Sequence, residues 1–180
     1  MRNKINENRN EKCFIAILDS SAFFAGFNPN LFNGLVVITD EIFNEIKNSI
    51  QKEILEVAIL SKKLLIKSPT KKSLITIENI AKRLGEHERL SNADKSLLAL
   101  ALDEREKYGN ECKVKVYTND FSMMNILKKL KIPFEPIGQR KIKKILQWKK
   151  FCPSCKKLYS SSYTEDVCPV CGTKLKKISV

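Results

Sequence analysis

Cys13-Phe14-Ile15-Ala16-Ile17-Leu18, closed abruptly by Asp19-Ser20-Ser21, is the stretch that decides the class of fold. Its residues are all apolar and do not alternate. That pattern reads as a strand covered on both faces, the condition of strands in a parallel sheet. Working outward, Asn28–Gly34 is turn-rich, and Leu35-Val36-Val37-Ile38 is a second strand of the same kind, with Thr39 placed to cap a helix. From Asp40 to about Leu60, Ile42, Phe43, Ile46, Ile50, Ile54 and Val57 recur at helical spacing and predict one long amphipathic helix. Residues 63–67 read as an edge strand closed by Pro69, and 71–85 as a helix ended by Gly85. Ser91 and Asp94 form a capping-box pattern ahead of a helix running from Leu97 to about Lys107. Lys113–Tyr117 is a strand, about 122–130 a helix, and Ile132-Pro133-Phe134 opens a last short strand. Strands alternating with helices imply a doubly wound α/β domain with a mainly parallel sheet and helices on both faces.

The chain has 180 residues and a net charge of +13, unevenly placed. From Gln139 to the end there are 11 Lys or Arg and 2 acids; the remaining 138 residues are nearly balanced. A basic end on a balanced body points to a polyanion, and nucleic acid fits better than a membrane surface. The start of the chain, residues 1–12, is polar and lacks an apolar signal core, so a loose tail and a cytoplasmic location are expected. Residues 13–138 then form the main domain, 139–150 a basic linker helix (QRKIKKILQWKK), and 151–180 a cysteine module.

That module reads Cys152-Pro-Ser-Cys155 and Cys168-Pro-Val-Cys171. Four thiolates suit one tetrahedral zinc ion, and two such pairs facing each other make a zinc ribbon. So short a segment cannot bury a sufficient core, so the metal supplies its folding energy. Two disulfides and an iron–sulfur centre are the competing readings; the absence of a secretory signal and of a cluster-specific spacing favours zinc. All four ligands are protein, which makes the site structural. Cys13 and Cys112, isolated in sequence, read as small buried thiols. Arg140, Lys141, Lys143, Lys144, Lys149, Lys150, Lys156 and Lys157 are candidate RNA contacts, joined by Lys174, Lys176 and Lys177. Trp148, Phe151, Tyr159 and Tyr163 are placed either to stack on bases or to cover the ribbon's core.

Four acids fall at one edge of such a sheet. Asp19 and Asp120 each follow an apolar strand, and ligands of open α/β sheets bind outside those carboxyl ends. Asp94 opens a helix feeding the strand at 113–117, and Glu45 lies in the second turn of the helix leaving 35–38, which puts both at the same edge. Singly each has a plain reading: a cap for Asp94, a solvated helix acid beside Glu41 and Glu53 for Glu45, turn formers for the other two. Together they crowd like charges, which a hard divalent cation compensates. Mg²⁺ or Mn²⁺ there acidifies water and stabilises charge developing on a phosphodiester. His87, in Gly85-Glu86-His87-Glu88-Arg89-Leu90, reads as a solvated surface residue without a catalytic role.

Leu18-Asp19-Ser20-Ser21-Ala22-Phe23, Asn44-Glu45-Ile46-Lys47, Ser91-Asn92-Ala93-Asp94 and Thr118-Asn119-Asp120 resemble the acidic motifs of PIN-domain nucleases. With the C-terminal ribbon, the chain from about 13 to 176 is similar to the archaeal Nin-one-binding family, endonucleases that mature the 3′ end of small-subunit ribosomal RNA. The resemblance implies a PIN fold and metal-binding roles for Asp19, Glu45, Asp94 and Asp120, with Ser21 and Thr118 supporting. Relatives often carry an acid where this chain has Asn119, which leaves one or two catalytic Mg²⁺ or Mn²⁺ ions open and makes the Asn119 carbonyl a neutral candidate ligand. It implies one structural zinc and, as partners, precursor small-subunit rRNA, the assembling subunit and assembly-factor proteins. A toxin-type PIN ribonuclease acting on tRNA or mRNA, and a non-catalytic RNA-binding assembly factor, are the rival readings.

Overall fold

The computed structural model describes residues 13–109, 111–137 and 145–179. Its body is a five-stranded, all-parallel sheet formed by β1 (Cys13–Leu18), β2 (Leu35–Ile38), β3 (Leu64–Ile66), β4 (Cys112–Tyr117) and β5 (Phe134–Glu135) in the order β3-β2-β1-β4-β5. Helices α1 (Ser20–Phe24), α2 (Asp40–Glu45), α3 (Ser49–Leu60), α4 (Lys71–Leu84), α5 (Asn92–Tyr108) and α6 (Phe121–Lys129) flank it. Ile15 to Leu18 and Val36 to Ile38 are all buried, as their unbroken apolar runs require. Leu97 to Ala101 are also buried without a break, which places α5 inside the body. Among the described residues no helix is long and apolar enough to cross a membrane.

The chain builds outward from β1 to β2 and β3, then returns to β4 on β1's other side. The topological switch therefore lies between β1 and β4, and the crevice beyond their carboxyl ends is where such sheets bind ligands. The two strands run in register from Cys13 opposite Cys112 to Leu18 opposite Tyr117, so Asp19 and Thr118 leave the sheet side by side.

Several expectations are corrected. The single helix from Asp40 to Leu60 is two helices, because the Asn48 side chain accepts from the backbone N–H of Ile50 (3.0 Å) and Gln51 (3.3 Å) and caps a new helix. The break turns the second helix, so Leu55 and Ala58 enter the core while Ile50 and Val57 face solvent. Cys13 and Cys112 are not isolated thiols: strand register sets them opposite each other, and they are joined in a disulfide. Most of the expected linker helix, residues 138–144 with Arg140, Lys141, Lys143 and Lys144, lies outside the described residues. Ile145–Gln147 is irregular and β6 (Trp148–Phe151) is a strand, so the described part of the linker is not helical. It pairs antiparallel with β7 (Leu158–Tyr159) and β8 (Lys176–Ser179) in a separate three-stranded sheet.

Candidate metal and RNA site

Asp19 sits at the switch point, nearly buried at 6% exposure. Its Oδ2 accepts from the hydroxyls of Ser21 (2.7 Å) and Thr118 (2.8 Å), the two residues singled out as supporting groups. Each hydroxyl is fixed in turn. Ser21 Oγ accepts from Asn119 N–H (3.1 Å), and Thr118 Oγ1 from Asp120 N–H (3.0 Å). The turn after β4 is thus stitched to the turn after β1, and the carboxylate is held in one orientation. Asn119 Oδ1 accepts from Ile137 N–H (2.9 Å), so this carbonyl already serves the backbone beyond β5.

Asp120 caps α6 through Oδ1, which accepts from Met123 N–H (2.8 Å). Asp94 completes the capping box of α5: its Oδ2 accepts from Ser91 N–H (2.7 Å), while Ser91 Oγ accepts from Asp94 N–H (3.1 Å). Burial pushes the Asp94 carboxyl above the usual range; hydrogen bonds from Ser91 oppose this, and the charges of Asp19 and Asp120 add to it. Asp94 therefore senses both other aspartates across the rim. Glu45 is exposed at the end of α2.

Each of the three aspartates spends one oxygen on the fold. Among the described residues, the second oxygen of Asp19 has only the Ser20 hydroxyl at 3.4 Å. A donor set of fixed carboxylates, each with an oxygen to spare, fits a hard divalent cation. Among the described residues, only the four cysteine sulfurs form a group of three or more such ligands within 4.8 Å of one another. A rim of carboxylates suits an ion that takes oxygen ligands and keeps part of its water shell, as Mg²⁺ does.

The cysteine cluster is compact. Sγ atoms of Cys152 and Cys171 lie 3.4 Å apart, and those of Cys155 and Cys168 3.5 Å apart. Its two knuckles are built alike. In the first, Cys152 N–H donates to Lys157 O and Lys156 N–H to Cys152 O; in the second, Cys168 N–H donates to Thr173 O and Gly172 N–H to Cys168 O. The Thr173 hydroxyl and backbone hold the Cys171 thiol down at about 6, favouring the thiolate a metal needs. Tyr159 directs its hydroxyl at Cys168 Sγ (2.9 Å) and stacks on Tyr163 (4.9 Å between centroids), so Tyr159 covers the ribbon's core. Lys150 is bound to Asp166 (2.9 Å) and to the carbonyls of Thr164 and Glu165, whereas Lys156 and Lys157 are exposed and Lys149 is half-buried.

Sequence reasoning missed the joint between ribbon and body. Glu86 is buried, and its Oε1 accepts from Trp148 Nε1 (2.8 Å) and Asn125 Nδ2 (2.9 Å). Asn125 also clamps the backbone of Leu146, donating to its carbonyl (2.6 Å) and accepting from its N–H (2.8 Å). The Arg89 guanidinium lies 4.3 Å from the Trp148 ring centroid. Gly85 has φ 73°, and a Cβ there would stand 2.8 Å from Trp148 Cβ. The charged segment around His87 gave no sign of this burial. His87 itself is partly exposed, between Glu78 (3.2 Å) and Lys95 Nζ (3.0 Å).

The family described as the PIN domain of ribonuclease matches residues 16–103. Over 163 residues the chain is 36% identical to endoribonuclease Nob1 of Methanocaldococcus jannaschii, covering 91% of this chain and 77% of that protein. The chain belongs to the Nob1 endoribonuclease family. Endoribonuclease Nob1 of Pyrococcus abyssi is 31% identical over 162 residues, 90% of this chain and 92% of its own. Ribonuclease VapC1 of Thermoplasma acidophilum is 28% identical over 163 residues. Alignments of this length cannot be held by the five-stranded body alone, so the likeness to Nob1 runs into the ribbon. The chain is therefore an endoribonuclease with a PIN fold, of a divalent-metal-dependent class, carrying a zinc-ribbon-like cysteine cluster.

Proposed function

We propose that this protein cuts single-stranded precursor RNA at the 3′ end of small-subunit rRNA, in the cytoplasm, on the assembling subunit and in company with assembly-factor proteins. The observation that carries the reading is the convergence of Asp19, Asp94 and Asp120 at the switch point, each with an oxygen unused by the fold, in a Nob1-family chain. Asp19, Asp94 and Asp120 hold Mg²⁺ or Mn²⁺, and Glu45 completes the rim from the end of α2. A bound divalent ion neutralises charge on the scissile phosphodiester and acidifies water for attack, leaving 3′-hydroxyl and 5′-phosphate ends.

Ser21 and Thr118 orient Asp19 by donating to one oxygen, so the other is presented to the crevice. Asn119 secures the turn that carries Asp120. One zinc ion on Cys152, Cys155, Cys168 and Cys171 folds the ribbon. We divide the chain into a tail at 1–12, a nuclease domain at 13–138, a basic linker at 139–150 and a ribbon at 151–180, the linker and ribbon lysines drawing in the RNA backbone.

The test is cleavage of a short RNA spanning the 3′ end of small-subunit rRNA with Mn²⁺, Mg²⁺ or EDTA, for the wild type and Asp94→Asn. One defined, metal-dependent cut, lost in the variant, is expected. Metal-dependent cuts at scattered positions would contradict the ribosomal target and favour a toxin-type nuclease. Tight binding without any cut, also on whole precursor particles, would favour a non-catalytic assembly factor.

A further inference from the structure

The joint between body and ribbon leaves a cleft of ≈ 220 Å³. The body contributes Lys82, His87 and the acid Glu88 to its wall, and the ribbon contributes Ser162, Tyr163 and Lys177. Hydrogen bonds tie the two walls together: Glu86 and Asn125 hold Trp148 and Leu146, and Ser161 Oγ donates to Lys82 O (2.8 Å). The volume is below the roughly 300–1,000 Å³ of sites for drug-sized ligands and suits one base-sized group. Its cations are weakly engaged. Lys82 stands 3.7 Å from Glu78 and Lys177 3.7 Å from Glu88, long surface pairs that a phosphate displaces readily. Tyr163, which lines the cleft, already stacks on Tyr159, so its ring is braced as a platform. The cleft is linked by side-chain contacts to α5, the helix that carries Asp94. The cleft residue His87 contacts Lys95, and Glu78 contacts both Lys82 and Lys95, the residue next to Asp94.

We propose that this cleft is a substrate subsite taking one unpaired nucleotide of the RNA, its base on Tyr163 and its phosphates on Lys82 and Lys177. The inference rests on the endoribonuclease reading and extends it. One nucleotide is seated between ribbon and body, at a position set by the hydrogen-bonded joint. Aromatic stacking accepts any base, and lysines read charge alone, so the subsite demands an unpaired nucleotide and not a sequence.

The experiment uses the full chain with zinc bound and the same RNA, fluorescently labelled, with binding followed by anisotropy across a range of KCl concentrations. The double variant Lys82→Ala/Lys177→Ala is expected to lose affinity on the order of tenfold, and its log–log salt slope to fall by about 1.4, roughly 0.7 per phosphate released on a single strand. Lys63→Ala, which removes an exposed lysine just before β3 that does not line the cleft, is expected to stay within about twofold. Tyr163→Ala is expected to weaken binding about 5- to 100-fold, with Tyr163→Phe close to wild type. An abasic nucleotide scanned along the probe should weaken wild-type binding at one position and have little further effect in Tyr163→Ala. Zinc content and the fluorescence of Trp148, the single tryptophan, verify that each variant is folded. A double lysine variant with wild-type affinity and slope overturns the subsite while leaving cleavage by the wild type, and so the nuclease reading, intact. A wild type that binds this RNA without ever cutting it overturns the nuclease reading instead.

Discussion

The acidic rim and the cysteine ribbon are both sets of four candidate ligands, yet they are assembled in opposite ways. The cysteines lie within 20 residues of one another in sequence, and the metal organises the fold around them. The acids are scattered from residue 19 to residue 120, and a sheet with its own apolar core organises them before any ion arrives. In the ribbon, then, the ion stands in for a core; at the rim, the core stands in for the ion. Removing metal should unfold one region and merely silence the other.

The largest expected effect follows from that difference. Stripping zinc, or replacing Cys171 by Ser, should cost the ribbon on the order of 10 kcal/mol of folding energy. Limited proteolysis should then cut within 151–179 while the thermal transition of the body persists. A ribbon that resists protease without zinc would break the comparison. Removing Mg²⁺ or Mn²⁺ with a weak chelator that spares zinc should leave both transitions in place and stop cleavage.

A second effect lies where the two regions meet. Asn125 is buried and bonds Glu86 and both backbone groups of Leu146. Asn125→Ala should destabilise the protein by about 2–3 kcal/mol, because both backbone groups of Leu146 lose their partner and Glu86 Oε1 loses one of its two donors. Trp148 fluorescence should shift to the red as the ribbon lifts away. An unshifted spectrum at unchanged stability would show that the joint does not depend on this clamp.

The smallest effect compares the two knuckles with each other. Lys156 and Gly172 occupy equivalent positions and both are left-handed, φ 62° and 67°. Only glycine takes that conformation without cost. Lys156→Gly should therefore stabilise the zinc-bound ribbon by about 1 kcal/mol, seen in its thermal transition, while removing one candidate RNA contact. A loss of stability would mean that the Lys156 side chain contributes more than its backbone strain costs.

The same contrast explains what the sequence disclosed. The ribbon was legible because a two-residue gap between cysteines states its ligand geometry locally. The rim was legible for a different reason: Asp19 and Asp120 follow apolar strands, and strand ends share an edge in a parallel sheet. What escaped was set by tertiary detail. Asn48 overrode an apolar periodicity that continued straight through it. Cys13 and Cys112 lie 99 residues apart and pair only because β1 and β4 run side by side in register. Glu86 lies in a charged stretch that looks solvated until Trp148 and Asn125 cover it. Glu45 carries a clear motif in the sequence and sits exposed at the end of α2.

The most direct test of the central claim is the single-turnover cleavage rate of Asp19→Asn in saturating Mn²⁺, with zinc content and thermal stability matched to the wild type. The substitution keeps the shape of the side chain and removes the charge that Ser21 and Thr118 orient. A rate lowered by about 100-fold or more is expected, with the fold unchanged. A variant that cuts as fast as the wild type would place the chemistry somewhere other than the acidic rim.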